Sequence, residues 1–203
     1  ILNPTNNTAS TFLATVRDED TPSTLDDPVV ASSPVWGDEQ IWDSKANSHN
    51  PRLDHNGLVW YTARIRGNDT PDFCREGSSH PSAKLFTLKT NARQISVLDP
   101  ETGDYTFVDT CYGTHHLQFH WDDKHTLWTS GGKDVVGWID SQKFLETGDA
   151  AASQGWAPLI LDTNANGKQD AWVEPGEAPD KAKDMRVPAN FYAVMPNPAD
   201  GSI

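Results

Sequence analysis

Apolar residues along this chain gather in short runs in which aromatic and β-branched side chains alternate with polar ones, and turn-forming residues separate the runs. The clearest runs are 58–62 (LVWYT), 94–98 (QISVL), 105–108 (YTFV), 127–129 (LWT) and 135–139 (VVGWI), each predicted as a β-strand. Fourteen Gly and fourteen Pro punctuate the sequence and argue against long helices. One short helix is predicted, over 141–146 (SQKFLE). Residues 1–33 are rich in Thr, Asn, Asp and Pro with few apolar anchors, and read as an extended arm or linker with at most one short strand.

The runs repeat. Residues 49–62 (HNPRLDHNGLVWYT) and 116–129 (HLQFHWDDKHTLWT) both pass from a His through an alternating strand and an Asp-containing turn to a strand centred on Trp. After the first comes ISVLDPETGDYTFV (95–108), whose Pro and Gly around the turn predict a tight hairpin. After the second come VVGWID (135–140) and WAPLIL (156–161), the latter expected as an outer strand. A third copy starts at FYAVM (191–195), passes Asp200, Gly201 and Ser202, and reaches Ile203 just before the register places its Trp. Four short antiparallel strands per unit is the blade pattern of a propeller.

The expected fold class is therefore all-β: a partial β-propeller of about two four-stranded antiparallel blades, 46–112 and 113–162. An insertion at 162–190 and the start of a truncated third blade at 190–203 follow. Trp60 and Trp128 lie 68 residues apart, more than the ~40–50 of compact blades. Insertions at 64–92, 141–155 and 162–190 account for the surplus. Period-2 alternation places Leu53 and Val59 in the core. A propeller removes its sheet edges by closing a ring, so the expected partners are further blades of a longer polypeptide or other chains of an assembly.

These units resemble the blades of virginiamycin B lyase-like (streptogramin lyase-like) propellers. That family repeats a His-containing inner strand, a D-x-x-G turn, a V-W-F-T-like strand and an R-I-D-P-x-T-G hairpin. LDPETGDYTFV (98–108) matches the hairpin closely, without the basic residue that often precedes it. The resemblance covers about 46–64, 94–131 and 190–203, and the insertions have no counterpart in the compact lyase. It implies a secreted bacterial propeller and, for activity, a His general base beside acidic residues holding a divalent cation such as Mg²⁺. The Glu and His pair of later blades that would complete such a site has no match in this segment.

In a blade, the loop entering the innermost strand opens beside the central channel, and His49, His115 and His116 occupy it. Three roles are open to them. A structural His hydrogen-bonds a hydroxyl of the neighbouring strand, with Thr62 and Thr129 as candidates; a catalytic one acts as general base; a third option is metal or ligand contact. Residues 162–170 (DTNANGKQD) carry side-chain oxygens at positions 1, 3, 5 and 9 and Gly at 6, like the first nine positions of a calcium loop. Asp162, Asn164, Asn166 and Asp170 are the expected donors, with the Lys168 carbonyl at position 7. Val173 stands where the bidentate Glu belongs, and Glu174, one residue late, is its candidate substitute. Two neutral donors and the missing Glu imply weak, millimolar-range calcium affinity; the alternative is a plain Asp/Asn/Gly surface turn. Trp60 and Trp128, at repeated strand positions, are expected to pack between blades, whereas Trp36 and Trp42 are undetermined and offer an aromatic platform for sugars or cations. Cys74 and Cys111 are expected to form a disulfide in an oxidising compartment, two buried thiols being the alternative.

A formal charge of −13 and the lack of any basic stretch speak against nucleic acid and anionic membranes. No apolar run approaches the ~20 residues of a spanning helix. The sequence carries no phosphate loop, haem attachment motif or Cys-based zinc site, so calcium is the one cofactor expected, with no haem or nucleotide. These observations point to a secreted or periplasmic binding or interaction module. Lyase-type elimination is the alternative, and a structural subunit of an envelope or filament assembly is a third reading.

Overall fold

The computed structural model describes residues 1–23, 37, 45–132, 134–188 and 190–203. Residues 1–23 begin with a small hairpin, β1 (Leu2–Asn3) paired with β2 (Thr8–Ala9), so two strands stand where at most one was expected. The segment after it is not free. Phe12, Ala14 and Val16, on alternate positions, lie against the first large sheet, and the backbone N–H groups of Arg17 and Asp18 donate to the Ile65 carbonyl.

That sheet is an antiparallel meander of β3 (His49–Leu53), β4 (Val59–Ala63), β5 (Gln94–Leu98) and β6 (Tyr105–Val108), in chain order. Asp54 fixes its first turn: Oδ1 accepts the N–H groups of Asn56 and Leu58, and Oδ2 accepts Trp60 Nε1–H at 2.9 Å. Asp99 repeats the device between β5 and β6, where Gly103 adopts φ +83° to close the hairpin. Strands β4 and β5 are buried along their whole length because both faces of the sheet are covered. Val59, Tyr61, Ala63 and Leu98 meet the amino-terminal segment. Trp60, Ile95, Val97 and Val108 meet a second sheet.

Leu53 departs from its expected core position: it is 68% exposed while its partner Val59 is buried. Strand β3 is the sheet edge, and a bulge between His49 and Arg52 turns the half-buried face to Asn50 and Arg52 instead.

The insertion between β4 and β5 holds a 3₁₀ turn (Asp72–Cys74) and α1 (Pro81–Leu85). Cys74 is disulfide-bonded to Cys111, with an S–S distance of 2.07 Å. Around the bridge Ala83, Tyr112, Val135 and Trp156 form a second core. The insertion is therefore apolar-anchored as well as covalently held.

The second sheet consists of β7 (Leu117–Phe119), β8 (Leu127–Gly132), β9 (Val135–Ile139) and β10 (Gln154–Pro158), again in chain order and antiparallel. Asp122 caps its first turn through the Thr126 N–H and hydroxyl. The predicted helix appears as α2 (Ser141–Thr147), started by Asp140, which accepts the Lys143 N–H, and ended by Gly148 at φ +67°. A one-turn helix, α3 (Ala150–Ser153), leads into β10. A Cβ at Gly137 would lie inside the buried Tyr112 ring, so the close approach of that ring to β9 requires glycine there.

The apolar run 156–161 is not one strand. It closes the second sheet up to Pro158, which lacks an N–H to continue a ladder, and then crosses to a third sheet. That sheet has the order β11 (Ile160–Leu161), β13 (Asp184–Arg186), β12 (Trp172–Val173), with β12 and β13 parallel. Residues 190–203 contain no strand, although a turn forms there through Gly201 N–H to Asn197 O and Ser202 N–H to Asp200. The segment is tied to the second sheet by Ser130 Oγ–H, which donates to the Tyr192 carbonyl, and lacks the continuous partner ladder a strand needs. The fold is thus all-β with several mainly antiparallel, open sheets. Among the described residues no helix is long and apolar enough to cross a membrane.

Candidate functional site

The two large sheets meet at their first strands. Asn50, held at φ +49° in the β3 bulge, reaches across to β7: its Oδ1 accepts the Leu117 N–H at 2.8 Å. Its amide nitrogen then faces His116 Nδ1 at 3.3 Å. This stitch assembles the histidines. His49 stacks on His115 (centroids 4.7 Å, 14°) and meets the edge of His116 at 5.3 Å. Tyr192 extends the cluster, 5.2 Å from His115 and 4.6 Å from His116.

Burial lowers the pKa of His49, and the charges of His115 and Arg93 lower it further. His116 is lowered by burial, then by His115, His49 and Arg52. Both rings are consequently neutral near pH 7. One ring nitrogen from each of His49, His115 and His116 lies within 4.8 Å of the others, a donor set that imidazole-binding ions such as Zn²⁺ use. The Asn50 contact qualifies that use. Because Asn50 Oδ1 is taken by Leu117, its amide donates to His116 Nδ1, leaving Nε2 as the protonated nitrogen, buried and without a partner among the described residues.

The hydroxyl anchoring expected of a structural His does not occur. Thr62 Oγ1–H donates to the His49 backbone carbonyl, not to the ring, and Thr129 Oγ1 has no partner among the described residues.

A cavity of about 610 Å³ opens beside His115. Its polar lining includes Arg64, Arg93, Asn47, Asn68, Thr90 and Asn190, and none of its described lining residues is Asp or Glu. The sheet register explains the arginines: Ala63 pairs with Gln94, so Arg64 just after β4 and Arg93 just before β5 are cross-strand neighbours. Arg93 donates to Asn47 Oδ1 at 3.1 Å, while Arg64 Nε is buried without a partner among the described residues. Burial and the Arg64 charge both pull the Arg93 guanidinium below its ordinary pKa. The sequence reading missed this pair. Its signal was a basic residue at the facing ends of two strands already recognised.

The 162–170 turn draws its four oxygen-bearing side chains together. Asp162 accepts the N–H groups of Asn166 and Gly167, with Ala165 and Gly167 both at positive φ. Asp170 Oδ2 accepts the amides of Asn164 (2.9 Å) and Asn166 (2.6 Å), which hold its carboxyl below the usual range. An all-oxygen donor set of this kind suits a hard cation. Glu174 is engaged elsewhere, accepting Trp172 Nε1–H and Arg186 Nε–H, each at 2.8 Å. Asp184 takes the place beside the loop: fully buried on β13, it accepts the Asp170 N–H through Oδ2, and Oδ1 has no partner among the described residues. Lys168 contributes its N–H to Asn166 Oδ1.

Trp60 is completely buried against Phe119 and Phe144 of the second sheet and its helix, whereas Trp128 is half-buried and packs on Trp138 at 5.4 Å. Trp36 and Trp42 lie outside the described residues. Comparison with family models, curated proteins and solved structures finds no match to this chain.

Proposed function

We propose that this chain is part of an extracellular or periplasmic β-propeller of the virginiamycin B lyase-like kind, serving as a ligand-binding module whose cleft lies at the histidine end. The observation that carries this reading is the pair of four-stranded meanders in identical strand order, with a large cavity of mixed polar and apolar lining beside His115. The disulfide supports an oxidising compartment. The histidine trio favours elimination chemistry as a second reading, but the described cavity lining offers none of the acidic residues that the family resemblance implies for holding a divalent cation. In the propeller reading, the open sides of the sheets meet further blades of the protein or other chains.

The cleft is tested by presenting residues 1–203 with immobilised neutral oligosaccharides, acidic oligosaccharides and short peptides. Saturable retention of at least one class is expected, and it should vanish in Asn68→Trp, which fills the mouth from an exposed position. No retention, or retention indifferent to that substitution, rejects the cleft.

Calcium at 162–170 is part of the same proposal, with Asp162, Asn164, Asn166, Asp170 and the Lys168 carbonyl as ligands and Asp184 in the place intended for Glu174. A dissociation constant of ~1 mM would stabilise the fold by about 1.4 kcal/mol in 10 mM Ca²⁺. A rise of roughly 3–6 °C in melting temperature over an EDTA control is expected, and it should be absent in Asp162→Ala. Equal melting in both conditions leaves a surface turn.

A further inference from the structure

Four of the seven arginines of this chain pair with carboxylates, and Arg52, outside the cavity, donates to the Pro51 carbonyl. Arg66 is buried and pairs with Asp109, which Arg17 also contacts at 2.9 Å; Arg186 holds Glu174 at 2.7 Å and Asp134 at 3.4 Å; Arg75 sits near Asp72. With 29 acidic against 16 basic side chains, acid partners are plentiful. Arg64 and Arg93 nevertheless share one cavity with no carboxylate among the described residues, and His115 adds a third nitrogen-bearing side chain to the same wall. Burial, and then the charge of Arg64, pull the Arg93 guanidinium below its ordinary pKa, and an anion held between the two half-buried guanidiniums would offset both costs.

The rest of the lining defines what carries the anion. Asn47, Asn68, Thr90 and Asn190 present amides and a hydroxyl that can read ring hydroxyls, while Leu88, Val135 and Phe191 offer apolar surface to the C–H face of a sugar ring. Tyr192 is 72% exposed, its ring supported by His115 and His116 and otherwise open, a surface on which the C–H face of a sugar ring can lie. The volume falls within the ~300–1,000 Å³ of small-ligand sites and has room for more than one sugar ring.

We infer that this cavity binds a carboxylated oligosaccharide, with Arg64 and Arg93 clamping a uronate carboxylate, the amide side chains reading ring hydroxyls and Tyr192 supporting a sugar face. The guanidinium fork matches a carboxylate in two parallel hydrogen bonds, which an ammonium cannot reproduce. This rests on the cleft reading above and specifies its ligand.

The test is calorimetric titration of residues 1–203 with trigalacturonate, alongside a neutral trisaccharide of matched size, tri-glutamate and inorganic sulfate. Trigalacturonate should bind at least tenfold more tightly than the other three. Arg64→Gln and Arg93→Gln should each weaken it at least tenfold, with Arg93→Lys falling between wild type and Arg93→Gln. Unchanged circular dichroism and melting temperature establish that these variants fold; if Arg64→Gln does not fold, the Arg93 pair alone decides. Neutral trisaccharide binding as tightly, and indifferent to the arginine variants, overturns the acidic class while leaving the cleft intact. Sulfate or tri-glutamate matching trigalacturonate overturns the saccharide assignment. No binding of trigalacturonate overturns the inference outright, and the immobilised panel then decides separately whether the cleft binds anything.

Discussion

Trp60→Ala is expected to destabilise the protein by about 3–5 kcal/mol. Trp60 has no exposed surface and lies between those sheets, with its ring edge-on to Phe119 at 5.9 Å and to Phe144 at 6.2 Å. Its Nε1–H also completes the Asp54 turn, so truncation leaves a cavity and removes a charge-assisted hydrogen bond together. The control is Trp128→Ala. That residue occupies the matching position in the second sheet but is half-buried, and its loss should cost about 1–2 kcal/mol. Urea unfolding of both variants measures the difference. Equal costs would mean that the two sheets do not share the core described for them.

That contrast shows what a repeat can and cannot reveal. The equivalence of Trp60 and Trp128 follows from local patterning: each stands on the second strand of its sheet, after an Asp-anchored turn. What covers each Trp depends on which surface arrives from elsewhere, and periodicity holds no information about that. The same limit explains Leu53, whose alternation is correct for a strand but whose strand is an edge with a bulge. It explains Phe12, Ala14 and Val16 too, three apolar residues in a polar segment that anchor only because a sheet face is waiting for them.

The candidate site was legible to the same degree. The histidines were recognised because they open repeated strands, and the calcium-like loop because its donors are close in sequence. That Asp184, and not Glu174, lies against the loop was not legible. Arg186 captures Glu174 by a charge-assisted bond, while the β12–β13 pairing brings Asp184, fourteen residues beyond Asp170, against the loop. Arg64 and Arg93 escaped for a related reason. They share a cavity with no carboxylate among the described residues, and that is visible only once neighbours are placed in space.

The disulfide carries the second large effect. Cys74 and Cys111 close a span of 37 residues, for which the chain-entropy estimate is about 4 kcal/mol of stabilisation. Cys74→Ala/Cys111→Ala should therefore lower the melting temperature by roughly 8–16 °C. The double variant should still fold. Phe73, Phe86 and Leu88 pack around the Tyr112 and Trp156 core, Trp156 Nε1–H donates to the Phe86 carbonyl at 2.7 Å, and His80 stacks on Trp156 at 4.8 Å. These contacts hold the insertion down without holding it shut. Asn68 and Thr90 belong to that insertion and line the cavity, so opening it loosens one wall of the proposed ligand site. Amide hydrogen exchange should accelerate in 64–92 well before it does in β4 and β5, and ligand retention should fall with it. A loss below about 1 kcal/mol, with exchange in 64–92 unchanged, would show that the aromatic core alone secures the insertion and that the bridge is dispensable to the cleft.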